Sequence, residues 1–335
     1  MEKEAFVLLS NHFDHRGYLR CSKHLEVGEK MMIFLMVLSH NSTNRHIKWE
    51  FQHSGETVSK YFHEVLLGMI EFSREMIVPP AWDEPMGPIR IHRRLREGAF
   101  RGAVGALDGT LIPAVIPTNR QIPYRARGGK ECYQNVMAIC DFDMKFLFVV
   151  AGWEGVAHDA RILNETVRDP DFNFPMPPAD KYYLCDAAYT HSKGFMGPYR
   201  RTRYWLADFI RLRARTKQER FNHAHVRLRN VIERSFGVLK ARFLILQTMR
   251  PFIFPIQRNM VIACMAIHNF IRRFTLNDRL FPQFEHTNLV LPRDAASTSQ
   301  PLFTTQDATY MVNLRDHIAN ELCANMQDAN VHDND

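Results

Sequence analysis

The sequence predicts an α/β protein, with a helix-covered sheet following a helical N-terminal region. Three observations predict it. Apolar residues recur at helical spacing through residues 1–77. Short, almost continuously apolar runs follow between residues 101 and 185 and read as strands buried on both faces. Helical patterning then returns, clearest from Leu228 to Phe243.

The N-terminal elements come first. Val27–His40 is apolar-rich, and Asn44–Phe51 predicts a second, short helix. The QHSG run at 52–55 is a turn, with Ser54 as N-cap and Glu56 favourably placed in the first helical turn. Behind it Val58, Tyr61, Phe62, Val65, Leu66, Met69 and Ile70 make one apolar face, leaving Ser59, Lys60 and His63 outward. A helix, a short helix, a turn and a longer helix are the ingredients of a helix-turn-helix, so residues 1–77 read as a candidate DNA-binding region. A plain helical bundle packed on the next domain would have the same pattern. Residues 78–100 hold four prolines and read as a connector.

The sheet elements occupy 101–275. Ala103–Leu107 leads into Asp108 and the apolar GTLIPAVI; Asn135–Cys140 and Phe146–Trp153 are further strands around a turn at DFDM. His158 and Asp159 precede a helical stretch, ARILNETV, whose start Asp159 could cap. A short strand, YYLC, ends in Asp186. On the later helix Leu228, Ile232, Phe236, Leu239 and Phe243 form the apolar face, and Arg229, Glu233, Gly237 and Lys240 an adjoining stripe. Residues 276–335 read as a partly disordered extension, polar from Glu285 to Gln306, with a helix over Met311–Met326.

Composition narrows the function. Hydrophobic residues make up 46% of 335, enough for a sizeable core, and the net charge of +7 permits nucleic-acid binding. Cys21, Cys132, Cys140, Cys185, Cys264 and Cys323 form no CxxC pair, which argues against a disulfide framework or a structural zinc site. The longest apolar run, Met31–Leu38, is too short to cross a bilayer, and no signal peptide is legible. From Tyr199 to Arg242 there are 13 Lys/Arg against 3 Asp/Glu. That segment is either a solvated basic face or a phosphate-contacting surface, with Arg211, Arg213, Arg215 and Lys217 as candidate contacts and Arg229 and Lys240 further along.

Asp108 and Asp186 each end an apolar strand, where an unpaired carboxylate is costly to bury. A bound divalent cation removes the difficulty, and oxygen ligands suit Mg²⁺ or Mn²⁺. Two such ions would activate a water or DNA hydroxyl and stabilise the leaving oxygen. Glu233 can complete the set from its helix. Singly, each acid is as easily a turn or cap residue, and Asp108-Gly109 is a common turn pair; Arg229 and Glu233 could form only a helix-surface pair.

The segments GALDGT (105–110), GVAHDARIL (155–163), CDAAY (185–189) and NVIERSFGVLKARF (230–243), in that order, resemble the PIF/Harbinger superfamily of transposases and their domesticated relatives. AIHNFIRR (266–273) and FQHSGETVSKYFHEVL (51–66) extend the likeness over residues 25–275. Leu111 stands where many members have His, and Cys185 where many have Gly.

The resemblance implies an RNase H-like core with a mixed five-stranded sheet and a DDE triad at Asp108, Asp186 and Glu233. It adds Asp159, after His158, as a further metal ligand. It also implies a nuclear, Mg²⁺- or Mn²⁺-dependent DNA endonuclease working with a separate Myb/SANT-like protein, and compatible with a homo-oligomer. Two rivals remain: a domesticated, non-cutting DNA- or chromatin-binding protein, and a DNA-binding regulator built on the helix-turn-helix.

Overall fold

A computed structural model describes residues 1–23, 25–79, 82, 98–125, 129–204, 206, 209, 214–274, 278–285 and 304–332. Most of the connector, the polar run at 286–303, and the candidate contacts Arg211 and Arg213 lie outside these residues.

Four helices open the chain: α1 (Lys3–His15), α2 (Val27–His40), α3 (Asn44–Glu50) and α4 (Gly55–Met76). Ser54 caps α4 by accepting the Thr57 N–H at 3.1 Å, as its position after the turn predicts. The face of α4 from Val58 to Phe72 is buried, but in the core it shares with the later helices. Phe62 stacks on Phe252, and Arg250 donates from Nε to the Asn41 carbonyl at 3.0 Å. The N-terminal helices are therefore packed onto the next unit. Ser59, Lys60 and His63 face solvent.

The sheet holds β1 (Ala103–Pro113), β2 (Tyr133–Cys140), β3 (Phe146–Glu154), β4 (Tyr182–Leu184) and β5 (Phe195–Met196), in the order β3-β2-β1-β4-β5. β2 runs antiparallel to both neighbours, while β4 and β5 run parallel to β1. With α5 (Asp159–Arg168) between β3 and β4, this is the RNase H-like α/β arrangement. The two-residue β5 is too short to leave a period-two signal. β1 stops at Pro113, short of the apolar run's end at Ile116.

Alternation along the strands sorts the core into two layers. Val104, Leu107, Tyr183 and Cys185 face α5, packing with Ile162 and Leu163. Ala106, Leu184, Val136 and Ala138 face the opposite side, against α6 (Lys217–Arg242) and α7 (Phe254–Phe274). α6 starts well before Leu228. Its first turn carries a T-x-x-E signal, in which Thr216 Oγ1 accepts the Glu219 N–H at 3.2 Å. After α8 (Leu280–Glu285), α9 (Thr305–His332) is longer than its expected 311–326 span. It docks on α6 and the preceding loop: Arg315 lies over the Tyr199 ring, and Lys217 donates to Asn320 Oδ1 at 3.1 Å.

Candidate active site

β1 and β4 place the first two acids side by side. Ala106 pairs with Leu184 in parallel register, and Asp108 and Asp186 each stand two residues further on. Two residues is one strand repeat, so both carboxylates point to the face of Ala106 and Leu184, the face that α6 covers. Glu233 arrives there from α6, on the polar stripe beside its apolar face. All three acids are buried, Asp108 completely.

Arg229, one helical turn before Glu233, holds this group together. Its Nη1 donates to Asp108 Oδ2 at 2.8 Å, and its Nη2 to Glu233 Oε1 at 3.4 Å. Asp108 Oδ1 accepts the Gly109 N–H at 2.9 Å, and Asp186 Oδ1 the Ala188 N–H at 2.8 Å. Burial opposes the guanidinium's charge, but Tyr204 and the carboxylates of Asp108, Glu233 and Asp186 outweigh it and keep Arg229 protonated. Arg229 was expected at DNA phosphates; it is 6% exposed and turned into the acid cluster instead. The reason is electrostatic: beside three buried carboxylates, a cation is stabilised more than at a solvated surface.

Asp159 stands elsewhere. It is the first residue of α5, with His158 as N-cap, so it sits one position inside the helix it was expected to cap. Asn135 Nδ2 donates to its Oδ1 at 2.9 Å, and a Cβ on Gly109 would lie 2.5 Å from that same oxygen. Gly109 and Asp108 point to opposite faces of β1, so Asp159 meets the strand from the side away from α6. Only a residue without a side chain allows that approach.

The remaining candidates spread along α6. Lys240 Nζ donates to Thr110 Oγ1 at 2.8 Å and to the Leu111 carbonyl at 3.0 Å, tying the end of the polar stripe to β1. Arg215 and Lys217 are exposed. The Arg215 backbone N–H donates to Glu219 Oε2, and hydrogen bonding by Arg203 draws that carboxyl down to about 2. Two residues of the site were missed in sequence. Tyr204 Oη lies 3.3 Å from His225 Nδ1, one turn before Arg229 on α6. His225, Arg229 and Glu233 follow one another at intervals of four, a spacing that marks one stripe of α6; nothing local marks Tyr204.

Among the described residues, no three His, Cys, Asp or Glu side chains stand ready as a metal-ligand group. The chemistry of the donors nevertheless fits one. Asp108, Asp186 and Glu233 are hard oxygen donors gathered around a single guanidinium, and their excess negative charge is what a divalent cation would offset.

Asp108 lies within β1 rather than at its end, Asp186 just past the end of β4, and Glu233 on the helix that covers them, an acid set of the DDE type. Residues 107–269 match the DDE superfamily endonuclease family, and residues 1–71 match a domain of unknown function. Residues 107–269 therefore carry a DDE superfamily endonuclease domain, and the chain is similar to Harbinger-type, transposase-derived proteins. Its relatives include the proteins named "Putative nuclease HARBI1" of rat, 23% identical over 172 residues, and of mouse, 24% identical over 171. The human protein of that name is 23% identical over 171 residues. Each match covers 50% of this chain and 45% of the relative, so the chain spans less than half the length of the curated relatives it matches. No solved structure matches the chain.

Proposed function

We propose that this chain is a divalent-metal-dependent DNA endonuclease of transposase descent, with Asp108, Asp186 and Glu233 as its metal-holding carboxylates. One observation carries the reading: Asp108 and Asp186 each stand two residues past a paired position of parallel neighbours, and Arg229 bridges Asp108 to Glu233. When bound there, Mg²⁺ or Mn²⁺ would activate an attacking oxygen and stabilise the leaving one in phosphodiester cleavage. The chain's own residues supply the rest. The Gly109 N–H fixes the Asp108 carboxylate, the Ala188 N–H fixes Asp186, and Lys240 anchors the α6 stripe to β1. Exposed Arg215 and Lys217 flank the start of α6 and would contact DNA phosphates. A nuclear location and a separate Myb/SANT-like DNA-binding partner belong to the same proposal, which takes them from the Harbinger-type resemblance.

The rival reading, a non-cutting DNA- or chromatin-binding protein, draws on the guanidinium already seated between two of the acids. Cutting of a suitable DNA end, with Mg²⁺ or Mn²⁺ and the Myb-like partner present, decides between them. Asp108→Asn and Glu233→Gln keep side-chain shape but remove charge. Each should lower the cutting rate by about 10²-fold or more, the scale of losing one preorganised electrostatic contact, with DNA binding retained. Equal cutting by wild type and Glu233→Gln would expose a contaminating nuclease and sink the assignment.

A further inference from the structure

We infer that Arg229 is an internal counter-cation that occupies the acid cluster in the metal-free protein and must give up its carboxylates when a divalent ion binds. The inference rests on the proposed metal-dependent reading and adds a device to it. The oxygens that Arg229 engages, Asp108 Oδ2 and Glu233 Oε1, belong to two of the three acids assigned to the metal. Asp108 Oδ1 is already turned to the Gly109 N–H. A divalent ion held by Asp108 and Glu233 would therefore compete with the guanidinium for these carboxylates. This accounts for the lack of a ready three-ligand group among the described residues, although three acids surround one cation.

The physical gain is clear. Three carboxylates buried together repel one another, and unpaired buried charge is strongly destabilising. A guanidinium bridging two of them lets this face of β1 fold before any metal arrives. It carries a single charge and no ligand oxygens, so it offsets part of the acids' charge but cannot activate water. Arg229 thereby sets the metal concentration at which the site fills, since a metal must compete with a cation built into the chain.

Mn²⁺ binding by calorimetry to the full chain, without DNA, tests this. Arg229→Gln should bind Mn²⁺ at least about tenfold more tightly than wild type. In the absence of metal it should melt lower, with a larger rise in Tm on adding Mn²⁺. Arg229→Lys, which can hold one carboxylate but not bridge two, should fall between them and decides the matter if Arg229→Gln does not fold. Equal or weaker Mn²⁺ binding by the folded variant, with wild type binding normally, would overturn the inference and leave the metal site standing; it would mean that Arg229 orients the ligands. If wild type and Arg229→Gln both fail to bind Mn²⁺, the metal-dependent reading itself fails and the inference with it. A second readout needs no variant. The Arg229 Nε–H signal of wild type should shift and exchange faster with water on titration with Mg²⁺, and an unmoved signal under saturating Mg²⁺ counts against displacement.

Discussion

Two buried cations, Lys30 and Arg229, sit in opposite electrostatic settings. In the N-terminal helices, Lys30 donates to the Arg20 carbonyl at 2.7 Å and to Glu64 Oε1 at 2.8 Å, and lies over the Tyr61 ring. One cation meets one carboxylate, and the other contacts are neutral. In the sheet domain Arg229 meets Asp108 and Glu233, with Asp186 close enough to add to the field. The first arrangement is balanced and closed, as a structural ion pair is. The second is left acidic, which costs stability unless something else binds. Charge balance, more than burial, separates a pair that holds the fold from a cluster prepared for a ligand.

The largest expected contrast compares variants of the two regions on cutting. Asp108→Asn should remove activity on the scale given above. Lys30→Met should leave the rate per folded molecule unchanged, and cost about 1–3 kcal/mol in chemical denaturation, the worth of a hydrogen bond to a charged group. Glu64 is partly exposed and can rehydrate, which keeps the loss below that of a fully buried pair. A large loss of cutting in folded Lys30→Met would erase the distinction drawn here.

Gly109→Ala sharpens the comparison within β1 itself. Its new methyl would press on the Asp159 carboxylate, so something must shift, at about 1–3 kcal/mol for overpacking. Calorimetric melting checks it. Unchanged stability would show that Asp159 is free to withdraw.

A smaller effect concerns the surface. Neutralising Arg215 and Lys217 together should weaken binding to every DNA sequence alike and reduce the salt slope by about 0.9 for each lost phosphate contact. A change confined to one sequence would mean that these residues read bases.

The smallest effect involves a buried group kept neutral. His268 donates from Nε2–H to the Met144 carbonyl at 2.8 Å and packs against Phe146 and Phe281; burial draws its pKa down to about 3. The unfolded chain takes up this proton near pH 6.5 and the folded chain only near 3. Stability from this group is therefore complete above 6.5 and declines as pH falls between those values, by about 1.4 kcal/mol per unit. His268→Gln should flatten the stability–pH curve by that amount in denaturant titrations between pH 6 and 4.5, and an unaltered slope would show that His268 is protonated in the fold.

Much of the molecule was legible in the sequence because its signals are local. Ser54 and the apolar spacing behind it mark α4, and the apolar runs leading into Asp108 and Asp186 mark strands, although β1 continues past Asp108 to Pro113. The stripe of α6 follows from a period of 3.6. The segments around the acids, in their order, carry the family resemblance. Other features depend on partners distant in the chain. Arg229 looks like a surface cation until β1, 121 residues away, brings Asp108 against it. Asp159 looks like a cap or a ligand until Gly109 and Asn135 fix it on the far face of β1. The helix-turn-helix pattern of α2 to α4 is real as a set of helices, yet its apolar face closes on Phe252 and α7. The sequence by itself determined which residues carry charge and which face of each element they occupy, since periodicity depends on backbone geometry alone. Only the tertiary structure decided which charges neutralise one another, because electrostatic energy depends on distances and burial that no local pattern encodes.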